Sequence, residues 1–181
     1  VDVILGMQIM ELDRDAKTVS DGRSVTYQYD KLLLATGGVP RTLDIPGGDL
    51  DDINYYRYLD DYIDAREHTG EGKTAVIIGG GFIGSELAAG LNFNKVDVTM
   101  VFPENYLSQR VFPEDLGRAI QEDYRQRGIK ILTGDVPVAI EKHIDGFTTR
   151  TKNGKELKSD MIIAGIGIKP DVDLARMSGL E

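Results

Sequence analysis

The stretch Thr74-Ala75-Val76-Ile77-Ile78-Gly79-Gly80-Gly81-Phe82-Ile83-Gly84-Ser85-Glu86-Leu87 constrains the fold more than any other part of the chain. Residues 75–78 are a continuous apolar run, as in a strand covered on both faces. Gly79, Gly80 and Gly81 end that run, and residues 82–93 then read as a helix, with Ala88, Ala89 and Gly90 on it. The pattern repeats. Residues 96–102 form a second strand. Residues 113–127 form a second helix, opened by Pro113 and closed by Gly128, and residues 129–132 form a third strand. Residues 73–132 therefore read βαβαβ, the unit of a doubly wound parallel sheet.

Gly79, Gly81 and Gly84 carry a GxGxxG spacing. The spacing has a physical reading when it follows a strand and opens a helix. Gly79 lets the chain turn sharply, Gly81 lets a pyrophosphate approach the backbone, and Gly84 lets the helix lie close to the sheet. The helix N-terminus then offers free N–H groups to the phosphates. The same glycines also serve a tight turn and close packing with no ligand. In a dinucleotide site the second strand normally ends in an acid that takes the ribose hydroxyls. Phe102 occupies that place here, and Glu104 lies two residues on. A carboxylate there would repel a 2′-phosphate and favour NAD(H) over NADP(H), although Arg110 nearby leaves NADP(H) open. A solvated loop acid at Glu104 fits the sequence equally.

The flanks have a different texture. Residues 7–12 are strand-like, and residues 18–20 and 25–29 form a hairpin around Asp21-Gly22. Residues 32–35 read as a short covered strand that runs into Thr36-Gly37-Gly38. Residues 38–52 have connector composition, with Pro40, Pro46, Gly47, Gly48 and several Asp. Residues 53–68 look helical through Ile53, Tyr56, Leu59, Ile63 and Ala65. After residue 136 antiparallel strands return at 138–141, 147–151 and 157–163, separated by Asp145-Gly146 and Asn153-Gly154.

The chain has 181 residues with 30 acidic and 21 basic side chains, a net charge of -9. That balance argues against holding nucleic acid or an anionic membrane through the net field. No apolar run is long enough to span a bilayer. With no cysteine the segment has no disulfide, thiolate metal site or redox dithiol. His68 and His143 are too few for a metal site and read as structural or solvent-facing. The chain starts at Val1 in what reads as mid-strand, as expected for a fragment. Nothing in it sets a compartment; the expectation is cytoplasmic or mitochondrial.

Together, Leu33-Leu34-Ala35-Thr36-Gly37-Gly38-Val39-Pro40-Arg41, the 76–88 turn and Ile162-Ile163-Ala164-Gly165-Ile166-Gly167-Ile168-Lys169-Pro170-Asp171 resemble a known family. They are similar, in order and interval, to segments of the FAD-dependent pyridine nucleotide-disulfide oxidoreductase superfamily. Val101-Phe102-Pro103-Glu104 looks most like the branch of apoptosis-inducing factor, monodehydroascorbate reductase and the ferredoxin reductases. The resemblance implies a Rossmann-like NAD(P)-binding α/β domain at 49–164, with a βαβαβ parallel sheet and an antiparallel β-meander. Partial FAD-domain segments would flank it at 1–48 and 165–181.

The resemblance also implies roles. Gly79, Gly80, Gly81, Phe82 and Gly84 would form the NAD(P)H cradle, with Ile83 near the nicotinamide. Glu86 would approach the nicotinamide amide and flavin edge; an ordinary first-turn acid reads the same. Phe102, Glu104 and Arg110 would lie at the adenosine end. Gly165, Ile166 and Gly167 would line the nicotinamide half, where a plain loop reads the same. Thr36 and Gly37 would lie against FAD. The implied chemistry is hydride transfer from NADH to FAD and onward delivery of electrons to a protein or small-molecule acceptor that the sequence does not identify. A second reading is an NADH-sensing signalling module with little turnover, and a third is a fold that binds nothing. A homodimer is open. The segment alone is expected to bind NAD(H) weakly and not to hold FAD stably.

Overall fold

The computed structural model describes residues 1–180. In chain order the elements are β1 (Glu11–Asp13), β2 (Thr18–Ser20), β3 (Thr26–Gln28), β4 (Gly38–Pro40), β5 (Ile53–Asn54), α1 (Leu59–Glu67), β6 (Thr74–Ile78), α2 (Phe82–Phe93) and β7 (Asp97–Phe102). They continue with α3 (Glu114–Gln126), β8 (Lys130–Thr133), β9 (Pro137–His143), β10 (Gly146–Thr151), β11 (Glu156–Ser159), β12 (Met161–Ala164), β13 (Ile168–Pro170) and α4 (Asp173–Met177). The chain divides into two compact units, residues 1–39 with 169–181 and residues 40–168.

The larger unit is built on a five-stranded parallel sheet in the order β5-β12-β6-β7-β8. Alternation along each strand sends side chains to opposite faces. Ala75, Ile77, Val98, Met100, Phe102 and Ile163 face one core with Ala88 and Leu91 of α2. Val76, Ile78, Val101, Ile162 and Ala164 face a second core with Ile140 and Phe147 of the antiparallel β9-β10-β11 meander. Fully burying one such aliphatic side chain is worth about 1.5–3 kcal/mol. Helix α3 lays Gly117, Ile120, Gln121 and Tyr124 inward at helical spacing. Gly128, at φ 91°, follows it. Successive strands run one way from β6 through β7 to β8, while β12 lies on the other side of β6. The order thus reverses between β12 and β6, the kind of crevice where open α/β sheets bind ligands.

Three sequence expectations change. The helix expected over 53–68 begins only at Leu59. Ile53 is a buried edge residue opposite Ile162, and the Asn54 side chain donates to the Asp61 carbonyl at 2.6 Å and accepts the Tyr56 amide at 2.9 Å. Tyr56 sits at φ 50°, which turns the chain before the helix. The strand expected over 157–163 is two strands in different sheets. The break is at Asp160, whose carboxylate accepts the Thr74 amide at 2.8 Å, the Thr74 hydroxyl at 2.7 Å and Lys73 Nζ at 3.0 Å. Residues 32–35 form no strand, and Leu33 is 86% exposed, because no described strand pairs with them. Of the strand-like stretch 7–12, only Glu11 and Leu12 fall in a strand.

The connector region 40–52 packs as part of the larger unit. The Ile140 amide donates to the Pro46 carbonyl at 2.9 Å, and Leu43, Ile45 and Leu50 cover the second core. Tyr55 accepts the Leu43 amide at 2.9 Å and donates to the Gly48 carbonyl at 3.1 Å. The units therefore part at 39/40 and 168/169 instead of near 48/49 and 164/165. In the smaller unit, β1, β2 and β3 form an antiparallel sheet, and Gly38 lies against Lys169 where β4 and β13 pair.

Candidate functional site

The 79–84 turn lies at the C-terminal end of β6, beside the end of β12. The Gly79 amide donates to the Val101 carbonyl at 2.9 Å, and the Gly165 amide to the Ile78 carbonyl at 2.8 Å, so both chain ends leave the sheet together. Gly79 holds φ 116°, and a Cβ on it would overlap the Gly165 carbonyl. A Cβ on Gly84 would overlap the Gly79 carbonyl, and one on Gly165 would sit 3.2 Å from the Gly84 amide nitrogen. Gly79, Gly84 and Gly165 thus form one close backbone contact between the two turns. Sequence spacing singled out each of them but not their meeting.

Gly81 differs. It caps α2 with an extended backbone, φ -85° and ψ -167°, and nothing lies within 4 Å of where its Cβ would go. It supplies no side-chain cap. The amides of Phe82, Ile83 and Gly84 precede the first intrahelical donor and have no backbone acceptor among the described residues. The Phe82 and Ile83 amides and the N-terminal end of the α2 dipole adjoin the open position at Gly81, which suits an anion, while Gly84 is buried against the Gly165 turn.

Gly80 and Phe102 are packing partners. A Cβ on Gly80 would come within 2.6–2.8 Å of the Phe102 ring, and Phe102 is fully buried. Phe102 therefore offers no surface to a ligand, which corrects its assignment to the adenosine end; it supports the turn from below. Phe82 is half exposed and meets Phe112 edge-on, ring centroids 5.7 Å apart. Ile83 is partly exposed, with its Cγ2 beside Gly165. Glu86 is exposed on α2.

At the end of β7, Glu104 and Arg110 form an ion pair, with Nε at 3.0 Å and Nη2 at 2.9 Å from Oε1. The Glu104 side chain is 20% exposed and that of Arg110 82%. The two residues the sequence weighed separately are thus bonded to each other. Sequence reading missed Ser108 and Tyr124. The Ser108 amide donates to the Gly80 carbonyl at 2.7 Å. Tyr124 of α3 donates to the Ser85 carbonyl at 3.0 Å, tying α3 to the first turns of α2. Burial, with help from Asp123 and Glu86, raises the Tyr124 pKa, so the phenol stays a donor. Its i,i+4 place on the inner face of α3 was the one available signal.

Gly167 has φ 99°, and its carbonyl accepts the Arg41 amide at 2.9 Å; Ile166 covers the second core. Thr36 and Gly37 belong to the smaller unit. Both are exposed, the Thr36 hydroxyl donates to the Asp171 carbonyl, and the Gly37 carbonyl accepts the Asp171 amide at 3.0 Å. His68 Nδ1 lies 2.8 Å from the Asp64 carbonyl and His143 Nε2 3.0 Å from Thr148 Oγ1.

A parallel sheet with a glycine turn at its switch point is the arrangement of a doubly wound α/β protein, and comparison with known proteins gives its family. The family described as "Pyridine nucleotide-disulphide oxidoreductase" matches residues 1–181, and the chain belongs to it. It is 37% identical over 178 residues to "Monodehydroascorbate reductase 4, cytosolic" of Oryza sativa subsp. japonica, an alignment covering 94% of this chain and 41% of that protein. Among solved structures, the ferredoxin reductase for the CYP199A2 system from Rhodopseudomonas palustris superposes with TM-score 0.87 at 28% identity, covering 96% of this chain and 43% of that one. The water-forming NADH oxidase from Lactobacillus brevis, solved bound to NADH, gives TM-score 0.78 at 27% identity, over 94% of this chain and 39% of that one. The chain spans about two fifths of the length of the curated relatives it matches.

Proposed function

We propose that this chain is the NADH-binding part of an FAD-dependent NAD(P)H oxidoreductase, with the 79–84 turn as the cradle of the NAD(H) pyrophosphate. The observation that carries the reading is Gly81. The fold itself accounts for Gly79, Gly80 and Gly84, each of which has a neighbour where a Cβ would stand. Nothing in the fold asks for glycine at 81. Open space beside unpartnered amides is what a bound pyrophosphate needs.

The remaining residues then divide the dinucleotide. Glu104 lies at the ribose end, and its carboxylate favours a free 2′-hydroxyl over a 2′-phosphate. Ile83 and the Gly165 turn bound the nicotinamide half. Glu86, exposed one turn into α2, is placed to hold the nicotinamide amide. Thr36 and Gly37 would hold FAD, through exposed backbone at Gly37. When bound, NADH supplies a hydride and FAD accepts it; the protein's part is to bind, orient and exclude water. Electrons then leave to an acceptor, a protein or a small molecule.

The test is a titration of the 181-residue chain with NADH and, separately, NADPH, followed by tyrosine fluorescence, since the chain has 8 Tyr and no Trp. A saturable response to NADH, weaker with NADPH, is expected. No saturation with either at millimolar concentration would overturn the assignment.

A further inference from the structure

Residues 103–112 connect β7 to α3 and return to the glycine turn. Leu107 and Ser108 are buried, and the Ser108 amide holds the Gly80 carbonyl at 2.7 Å. The Ser108 carbonyl accepts the amides of Val111 at 2.8 Å and Phe112 at 2.9 Å, which leaves Phe112 edge-on to Phe82. Ser108 does this at φ 54°. Among the described residues, the non-glycine residues at positive φ are Lys17, Tyr56, Lys95 and Ser108, and only Ser108 is buried. A left-handed conformation at a buried non-glycine residue persists only where its surroundings enforce it. Two residues further on, Arg110 reaches back to Glu104.

We propose that Ser108 is a positioning residue for nucleotide selection: its left-handed turn pins Gly80 and closes Arg110 onto Glu104, so that Arg110 is withheld from a 2′-phosphate. The inference rests on the 79–84 turn being the pyrophosphate cradle. Arg110 is the one guanidinium bonded to the acid at the ribose end. Free, it would attract the extra phosphate of NADPH. Held by Glu104, it is spoken for, and NADPH must break the pair to use it. Selection then depends on the backbone at position 108, not on its hydroxyl.

The test measures the NADH and NADPH dissociation constants of the whole chain for a series at 108. Ser108→Gly and Ser108→Asn tolerate positive φ and are expected to keep the wild-type NADH:NADPH ratio within twofold. Ser108→Thr resists positive φ and is expected to narrow the ratio by up to about fivefold, the upper range of an exposed ion pair. A purely structural role would weaken both nucleotides alike. If NADH binds the wild type but Ser108→Thr leaves the ratio unchanged, or Gly and Asn shift it as Thr does, the role of Ser108 is overturned and the cradle stands. If the wild type binds neither nucleotide, the cradle itself has failed, and this inference with it. Should Ser108→Thr not fold, Arg110→Ala reads the same arrangement from the other end. Leaving Glu104 unneutralised, it is expected to widen the ratio, and an unchanged or narrower ratio overturns the proposal.

Discussion

The Phe102 ring stands beneath Gly80, within 2.6–2.8 Å of where a Cβ on that residue would lie. This accounts for the missing acid at the end of β7. Position 102 is fully buried, so a carboxylate there would be desolvated without a partner. The acid appears instead at Glu104, where it reaches solvent and Arg110. The contact is tight enough to test. Gly80→Ala should destabilise the chain by about 1–3 kcal/mol through overpacking. Phe102→Leu should relieve part of it, so that the double variant loses less than the sum of the singles in urea unfolding.

Gly84 is a packing glycine. Its Cβ would overlap the Gly79 carbonyl, a backbone atom with little room to give. Gly84→Ala is expected to cost about 3 kcal/mol or more and to lower Tm visibly, with or without nucleotide. Calorimetry of the variant checks this; an unchanged Tm would mean that α2 is free to move off the sheet.

Asp160 gives a pH dependence with a defined sign. The Thr74 hydroxyl, with Lys73 and the Thr74 amide, holds its carboxyl below the usual carboxylate range. A depressed folded-state pKa stabilises above the unfolded value, near 3.9, and that stability is lost as pH falls through the folded value. Asp160→Asn should therefore cost about 1–2 kcal/mol above pH 5. The difference between variant and wild type should shrink below about pH 4. Urea midpoints across pH 2–7 measure it, and a gap that stays constant would remove Asp160 from the linkage.

The sequence made the fold legible wherever local pattern and burial agree. The strand at 74–78, the helix at 82–93 and the βαβαβ order are set by continuous apolar runs and glycine punctuation. Reading failed where a single side chain redirects the backbone. Asn54 converts an apolar helical face into an edge strand, and Asp160 cuts one apolar run into two strands of different sheets. The Asp160 break has no local signature, because Thr74 lies 86 residues away and becomes its neighbour only in the folded chain; the Asn54 turn is local, its side chain accepting the Tyr56 amide two residues on, but the apolar spacing over 53–68 masks it. The candidate site divided in the same way. Gly79, Gly81 and Gly84 were legible from spacing. Ser108 was not, since a left-handed serine is chosen by its tertiary hydrogen bond to Gly80 and not by propensity.

The most direct measurement compares NADH binding by the wild-type chain and Gly81→Val, with thermal melts of both. Position 81 has open space and a backbone compatible with a side chain. The pyrophosphate cradle predicts that Gly81→Val keeps a Tm close to wild type and loses saturable NADH binding. A variant that melts with the wild type and binds NADH equally well would contradict it.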